Sequence, residues 1–223
     1  MQFGKDYAIL GVKAVKNIED VFIPIEQHLL EDEKPSLYLR DLAKSRWFIE
    51  TYPFTLLGDL REVEQSPLHH PEGSVWQHTL LVVDLAAEGR HLSENPRVFM
   101  WSALLHDLGK AHTTRMRRGK ITAYDHDKHG AVLAAAFLQE FTDDDEFIKK
   151  VSRMVRWHMQ ILFVVKKLPF ADIDQMISEV SPGEIALLSL CDRLGRGEMT
   201  EEMRLIELEN MKHFISKCQQ HQN

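Results

Sequence analysis

Apolar residues recur every three or four positions over most of this chain, which is the spacing of α-helices. The spacing predicts a helix over residues 13–33, interrupted at Pro24, and another over residues 36–50. Further helices are predicted over residues 75–91, 96–108, 127–141, 144–160, 172–180, 182–194 and 200–218. The pattern therefore predicts an all-α fold.

Two stretches depart from this helical spacing. Residues 52–73 contain three prolines and two glycines, which predicts a long irregular connection of the kind that often carries function. ArgArgGlyLys at 117–120 predicts a tight turn, with a short β-hairpin near residues 114–124. We expect one compact unit, in which an N-terminal helical extension (residues 1–51) packs on a core domain (residues 52–223).

Several helices that look buried are interrupted by an imidazole or a carboxylate. Burying such groups is costly unless each is paired, so the alternatives are structural hydrogen bonds or a metal ion. Each residue alone has a structural explanation, and Asp84 is expected to be structural or at the surface. Together they favour a cation, because neutral imidazole and ionised carboxylate suit Fe, Mn, Ni, Co or Zn, with Mg as a further option. The residues are His78, His106, Asp107, His129, His158 and Asp192.

Composition limits the class of protein further. The chain has 223 residues, a net charge of −7 and 44% hydrophobic residues, values typical of a soluble globular protein. The negative charge argues against non-specific binding of nucleic acid. Two cysteines and the absence of a signal-peptide pattern or a membrane-spanning apolar run predict a cytoplasmic location. The basic run Arg115, Arg117, Arg118 and Lys120 is either a solvated turn or a feature that steers anionic substrates.

The order His…HisAsp…Asp resembles that of the HD-domain metal-dependent phosphohydrolases. The similarity is closest to the HD domain in the C-terminal part of bacterial multifunctional tRNA nucleotidyltransferases, and it covers about residues 52–197. It is carried by residues 70–84, 103–110, 129–131, 155–158 and 192–196. A glycine-rich phosphate loop followed by paired aspartates is not found, so nucleotide addition is not predicted and the chain looks like a stand-alone hydrolase module.

The resemblance implies roles for individual residues. One metal ion would be held by His78, His106, Asp107 and Asp192, and Asp107 could bridge to a second ion held by His129 and His158. Alternatively, His129 and His158 contact the substrate phosphate or orient a single-metal site. Catalytic roles fall to Asp107, Lys110 and His129. Side-chain chemistry and position, rather than the resemblance, add further candidates, with a solvated surface charge as the alternative for each cation. They are Lys110, Arg156, Arg193 and Arg196 as phosphate-binding residues, and Glu72 and Thr79 as supports for His78.

The implied activity is hydrolysis of phosphomonoesters or phosphodiesters by metal-activated hydroxide. The expected substrates are nucleotides or RNA-derived phosphates, in reactions of the 2′-nucleotidase, 2′,3′-cyclic phosphodiesterase or phosphatase type, and an RNA end is included among them. Two alternatives stay open: hydrolysis of dinucleoside polyphosphates or nucleoside di- and triphosphates, and a non-catalytic nucleotide- or RNA-binding module. No membrane partner is expected, and a dimer is compatible with the sequence.

Overall fold

The computed structural model describes residues 19–197 and 199–222, and this part of the chain is helical apart from one hairpin. The all-α prediction is therefore confirmed, and the predicted hairpin is present. The helices are α1 (Glu19–Glu31), α2 (Pro35–Leu42), α3 (Arg46–Glu50), α4 (Thr55–Gly58), α5 (Val75–Gly89), α6 (Pro96–Leu105), α7 (Lys110–Thr113), α8 (His126–Gln139), α9 (Asp145–Trp157), α10 (Gln160–Val165), α11 (Ile173–Glu179), α12 (Pro182–Leu194) and α13 (Glu201–Gln222). Strands β1 (Arg115–Arg117) and β2 (Lys120–Thr122) pair antiparallel.

Helix α5 lies at the centre of the fold, as its apolar sequence predicts. Ser74 is its N-cap residue, whose hydroxyl accepts a hydrogen bond from Gln77 N. The helix packs against α2, α6 and α12. Asp84 interrupts its apolar sequence for a structural reason, because its carboxylate accepts from the backbone N and the hydroxyl of Ser36 on α2. Within the described residues, no helix has both the length and the apolar run that crossing a bilayer requires.

The N-terminal helices pack on this core through apolar side chains. Ile25 and Leu29 of α1 are fully buried, and the ring of Phe22 stacks on Trp101 at 4.7 Å. The helix is not broken at Pro24, because Pro24 lies inside α1 between these buried residues. Residues 13–18 of that predicted helix lie outside the described residues, and the domain boundary at residue 52 stays a prediction.

Other predicted elements also differ from the structure; for example, the helix predicted over 144–160 ends at Trp157 and α10 begins at Gln160. The helix predicted over 36–50 is divided into α2 and α3, because Ser45 starts a new helix by accepting from Phe48 N. The connection predicted over 52–73 contains α4 and a 3-10 turn, whose Leu57 and Leu60 are fully buried. Its apolar residues therefore anchor the connection to the core, and its second half extends toward the start of α5.

Candidate metal centre

His106 and Asp107 lie in the turn between α6 and α7, and each is only 1% exposed. Helix α6 ends at Leu105, three residues before the predicted end, and His106 is its C-cap residue. The turn packs directly on α8: a Cβ added at Gly109 would overlap the carbonyl oxygen of His126 and lie 2.7 Å from Gly130 N. A glycine at this position therefore brings the start of α8 to the HisAsp pair.

His78 on α5 and Asp192 on α12 meet on one side of this turn. His78 Nε2 lies 2.9 Å from Asp192 Oδ1 and 4.0 Å from Asp107 Oδ2. On the opposite side of the ring, His78 Nδ1 lies 2.9 Å from Glu72 Oε1. The segments that follow one another in the sequence order His…HisAsp…Asp are thus adjacent in space.

His126 and His158 lie on the other side of Asp107. His126 Nε2 is 3.5 Å and His158 Nε2 is 4.0 Å from Asp107 Oδ1, while the two imidazole nitrogens are 3.2 Å apart. All three side chains are buried. The two oxygens of Asp107 therefore face different sets of imidazoles.

Three of these imidazoles are oriented in the same way. In each, Nδ1 lies within hydrogen-bond distance of the carbonyl three residues earlier; because a carbonyl only accepts, Nδ1 carries the proton and Nε2 keeps a lone pair. The pairs are His106 with Ala103 O at 2.9 Å, His126 with Ala123 O at 2.7 Å and His158 with Val155 O at 2.6 Å. The buried Nε2 of His106 has no hydrogen-bond partner among the described residues, since its contact with Asp107 Oδ2 at 3.2 Å lacks hydrogen-bond geometry.

Burial and neighbouring charges set the protonation states of these groups. Burial, together with the nearby imidazoles of His126 and His106, lowers the pKa of His158 to about 4. Burial likewise lowers the pKa of His126. For Asp107, burial alone would raise the pKa, but His106 and Lys110 outweigh it and hold the pKa well below its usual range. At neutral pH these groups are neutral imidazoles around an ionised carboxylate, which are the forms that bind metal ions.

The charged groups around His78 are balanced differently. Burial would lower the pKa of His78, but the carboxylates of Asp192 and Glu72 raise it above its ordinary value. Burial would raise the pKa values of both carboxylates, yet hydrogen bonding to histidine lowers them instead. Glu72 Oε1 also lies 2.8 Å from His70 Nδ1, and its Oε2 accepts from Gly197 N. Glu72 is thus held in place on several sides behind His78.

The donor set fits divalent metal ions. His78, His106 and Asp107 form one group whose ligand atoms lie within 4.8 Å of one another, and Asp107, His126 and His158 form a second. The buried, unpartnered Nε2 of His106 and the shared tautomer of three imidazoles favour a cation over a purely hydrogen-bonded cluster. Asp107 belongs to both groups, so the arrangement suits one ion or two ions bridged by its carboxylate.

The comparisons with known proteins agree with this geometry. The sequence profile of the HD domain matches residues 75–204, which is more than half of the chain. The chain belongs to the HD domain family. HD domains form a superfamily of metal-dependent phosphohydrolases and bind divalent metals, and the buried His/Asp cluster of this chain could hold such an ion.

Curated relatives of this HD domain include multifunctional CCA proteins of several bacteria. The protein of Alkalilimnicola ehrlichii is 32% identical over 143 residues, covering 64% of this chain and 32% of the relative. That of Actinobacillus pleuropneumoniae serotype 5b is 34% identical over 90 residues, covering 40% of this chain and 21% of the relative. The matched region thus spans only about a fifth to a third of these relatives.

The assignment of His129 to the site is corrected by the structure. His129 is exposed on α8 and belongs to neither ligand group, whereas His126, three residues earlier, is buried beside Asp107. The inward face of α8 carries Gly130 and Ala134, four residues apart, and one further step of four toward the N-terminus reaches His126. The small residues Gly130 and Ala134 are therefore the sequence signal that identifies His126, rather than His129, as the histidine facing inward.

Three further predicted residues have other partners in the structure. The guanidinium of Arg156 donates to the buried carboxylate of Asp127 at 2.5 Å, and its role in phosphate binding stays a prediction. Arg193 donates to Glu207 Oε1 through two nitrogens, at 3.1 and 2.7 Å, and also lines a small cleft with His158 and Asp192, so its role in phosphate binding stays a prediction. The Thr79 hydroxyl donates to the carbonyl of its own helix at residue 75, and so it does not support His78.

The other predicted residues lie at the candidate site. Lys110 Nζ is 2.7 Å from Asp107 Oδ2 and donates to Gln65 Oε1 at 2.8 Å. Arg196 lines a small cleft together with His158 and Asp192, and its buried Nε has no hydrogen-bond partner within the described part of the chain. His70 also lies at the site and was not among the predicted residues, because its contact with Glu72 has no recognisable signal in the spacing.

Proposed function

We propose that this HD domain hydrolyses phosphomonoesters or phosphodiesters of nucleotides or of RNA-derived phosphates. The observation that carries the proposal is the convergence of imidazole Nε2 atoms from four segments on the two oxygens of Asp107. Two cationic side chains, Lys110 and Arg196, stand at the margin of this cluster, where they can contact a phosphoryl group.

The protein's own residues would divide the work of this reaction. A divalent cation at these ligands supplies Lewis acidity and lowers the pKa of a bound water. The ionised Asp107 and the neutral His126 and His158 would offer their lone pairs to such a cation without first losing protons. Lys110, whose side chain is 13% exposed, offers an ammonium to the phosphate oxygens beside Asp107.

The same geometry bears on the number of ions. Asp107 presents one oxygen to His78 and His106 and the other to His126 and His158, so these residues would hold two divalent ions, with Asp107 as a ligand of each. Asp192 would complete the first ion's ligands through its position beside His78. Elemental analysis of the purified protein measures both the identity and the number of ions.

The test of activity is a substrate screen in the presence of Mn²⁺, Ni²⁺, Fe²⁺, Co²⁺, Zn²⁺ or Mg²⁺. The panel contains 2′-AMP, 2′,3′-cAMP, a chromogenic phosphate ester, a dinucleoside polyphosphate and nucleoside triphosphates, and product analysis identifies the bond that is broken. We expect metal-dependent turnover of the nucleotide esters. If no member of the panel is hydrolysed with any metal, a non-catalytic nucleotide-binding module becomes the better explanation.

Matched variants locate the activity at the proposed centre. Asp107→Ala should abolish turnover and reduce the metal content, while circular dichroism still reports a helical fold. His126→Ala should do the same for the second ion, whereas His129→Ala, on the exposed face of the same helix, should retain both. Full activity in Asp107→Ala, or equal losses in the two histidine variants, would place the reaction elsewhere.

A further inference from the structure

The β1–β2 hairpin leaves the protein directly beside the candidate metal centre. Helix α7 begins three residues after Asp107 and leads into β1, while β2 is followed within four residues by His126 at the start of α8. The base of the hairpin is therefore joined through α7 to the turn that carries Asp107, and directly to the start of α8, which carries His126. Its position is set by the same packing that builds the site.

This hairpin carries an unbalanced positive charge. Residues 115–120 are all exposed, and four of them are cationic, in a chain whose net charge is −7. None of the four has a carboxylate within 4.0 Å among residues 19–197 and 199–222. Elsewhere in the described structure many exposed cations form ion pairs, for example Lys44 with Asp41 and Lys128 with Asp125. A patch of this kind attracts polyanions.

The turn places one of these cations at the tip. Arg118 and Gly119 both have positive φ, at 48° and 73°, which is the conformation of a type I′ hairpin turn. The first of these positions favours Asn, Asp or Gly, because a left-handed conformation is costly for other side chains. Arginine at this position keeps a guanidinium at the tip although the turn itself would favour a smaller residue.

An aromatic ring accompanies the cations. Tyr124, which follows β2, is 57% exposed, and the guanidinium of Arg117 lies 5.2 Å from its ring centroid. Proteins that bind single-stranded nucleic acid stack successive bases on exposed aromatic rings, and arginines beside these rings add cation–π contacts. The patch therefore offers stacking as well as charge, and stacking is what separates a nucleobase polymer from other polyanions.

We propose that this hairpin binds single-stranded polynucleotide and directs the strand end to the metal centre. Strands of three residues extend about 10 Å, the axial length of about three nucleotides. Arginine forks suit phosphate oxygens, and Tyr124 would stack on one base. The proposal rests on the hydrolase function proposed above and makes its substrate class the end of an oligonucleotide, in preference to a free mononucleotide.

Binding tests the surface independently of catalysis. Fluorescence anisotropy of a labelled 12-nucleotide single-stranded RNA is measured at several salt concentrations for the full chain and for a variant with Arg117→Gln, Arg118→Asn and Lys120→Gln. Asparagine suits the positive φ at residue 118, so the turn is preserved. We expect affinity to fall at least about 10-fold and the slope of log K against log salt to decrease by about 2, since each lost contact contributes about 0.7.

The control variant has the same charge change at other exposed sites. Lys34→Gln, Lys44→Gln and Lys212→Gln remove three exposed cations from α13 and from the N-terminal helical region. This variant should bind RNA within about 2-fold of wild type. Equal weakening of the two variants, or unaltered binding by the hairpin variant, would overturn the proposal. Binding to vesicles of phosphatidylserine and phosphatidylcholine without binding to RNA would overturn it in favour of a membrane surface.

Two further measurements test base stacking on Tyr124 and the delivery of a strand end to the metal centre. Tyr124→Ala should weaken RNA binding about 5- to 100-fold, the range for loss of one stacked base, and Tyr124→Phe should restore it. Wild-type kcat/KM should be at least about 10-fold higher for an oligonucleotide ending in a 2′,3′-cyclic phosphate than for 2′,3′-cAMP, and the hairpin variant should lose this advantage. Equal kcat/KM values in the wild type would overturn the substrate class. RNA binding by a protein that hydrolyses no phosphoester would overturn only the hydrolase function.

Discussion

Replacement of Gly109 by alanine tests whether close packing of the HisAsp turn on α8 builds the second ligand group. The new Cβ would overlap the carbonyl oxygen of His126 and lie 2.7 Å from Gly130 N, and both obstacles are backbone atoms. Ordinary contacts between carbon and a backbone polar atom are about 3.3 Å or longer, so Gly130 N must move away from the new Cβ by at least about 0.6 Å. The carbonyl oxygen of His126 must move by more than this, because it starts closer to the new Cβ. The His126 side chain moves with this backbone, because His126 is the first residue of α8.

The displacement is large compared with the tolerance of a metal site. Metal–ligand distances hold within about 0.2 Å, so a shift of this size removes His126 as a ligand. We expect affinity for a metal ion at Asp107, His126 and His158 to fall about 100-fold, the upper end of the losses that follow when the support of a metal ligand is altered. Stability should fall by about 1–3 kcal/mol, the usual cost of overpacking. Metal titration by calorimetry and urea denaturation measure the two effects separately.

Gly89→Ala is the matched control, because the Cβ that it adds meets only Leu187 Cδ1, at an ordinary 3.7 Å. It lies at the end of α5 and should leave metal affinity unchanged while keeping or slightly increasing stability. If Gly109→Ala binds metal as tightly as Gly89→Ala and is as stable, the close approach of the turn to α8 does not determine the position of His126.

The remaining predictions concern groups outside the ligand set. Arg156→Gln and Asp127→Asn should each lower the affinity for a metal ion at Asp107, His126 and His158 about 10-fold, because the ion pair between them joins the helices of His126 and His158. The double variant should lose no more affinity than either single variant, and additive losses in metal titrations would contradict this. Burial alone would raise the pKa of Glu207, but hydrogen bonding to Arg193 outweighs it and holds that pKa below its ordinary value. The Glu207–Arg193 pair therefore stabilises the fold fully at pH values above the ordinary pKa, and the stabilisation is lost as the pH falls through the lowered pKa. Glu207→Gln should therefore flatten the acid limb of stability against pH, and an unchanged limb would refute the pairing. Burial raises the pKa of Cys218 to about 11, so a thiol reagent at pH 8 should react with it only after unfolding; rapid labelling of the native protein would contradict its burial.

The fold was largely predictable because its signals are local. Helical spacing identified most helices, and the glycine after two adjacent cations identified the hairpin turn. Errors occurred where packing or capping overrides spacing. Pro24 lies within α1, whose neighbouring side chains are buried in the core, and Ser45 divides a continuous apolar pattern by capping a new helix.

The candidate site was predictable where a residue interrupts a strongly apolar helix, as His78 and Asp192 do. It was not predictable where the choice depended on a partner distant in sequence. Arg156 and Arg193 have the chemistry of phosphate ligands, but each is paired with a carboxylate that no local pattern connects to it. His126 and His129 differ only in the helix face that they occupy.

The ends of two helices explain how neutral imidazoles can be held at this centre. His106 and His158 are the C-cap residues of α6 and α9, and their Nδ1 protons go to Ala103 and Val155 in the last turns. Carbonyls in a last turn lack later N–H partners within the helix, so they are available as acceptors. The same carbonyls carry the negative end of the helix dipole, which favours a cation nearby. Helix termination therefore fixes the tautomer, aims Nε2 at Asp107 and supplies part of the field that a divalent ion needs.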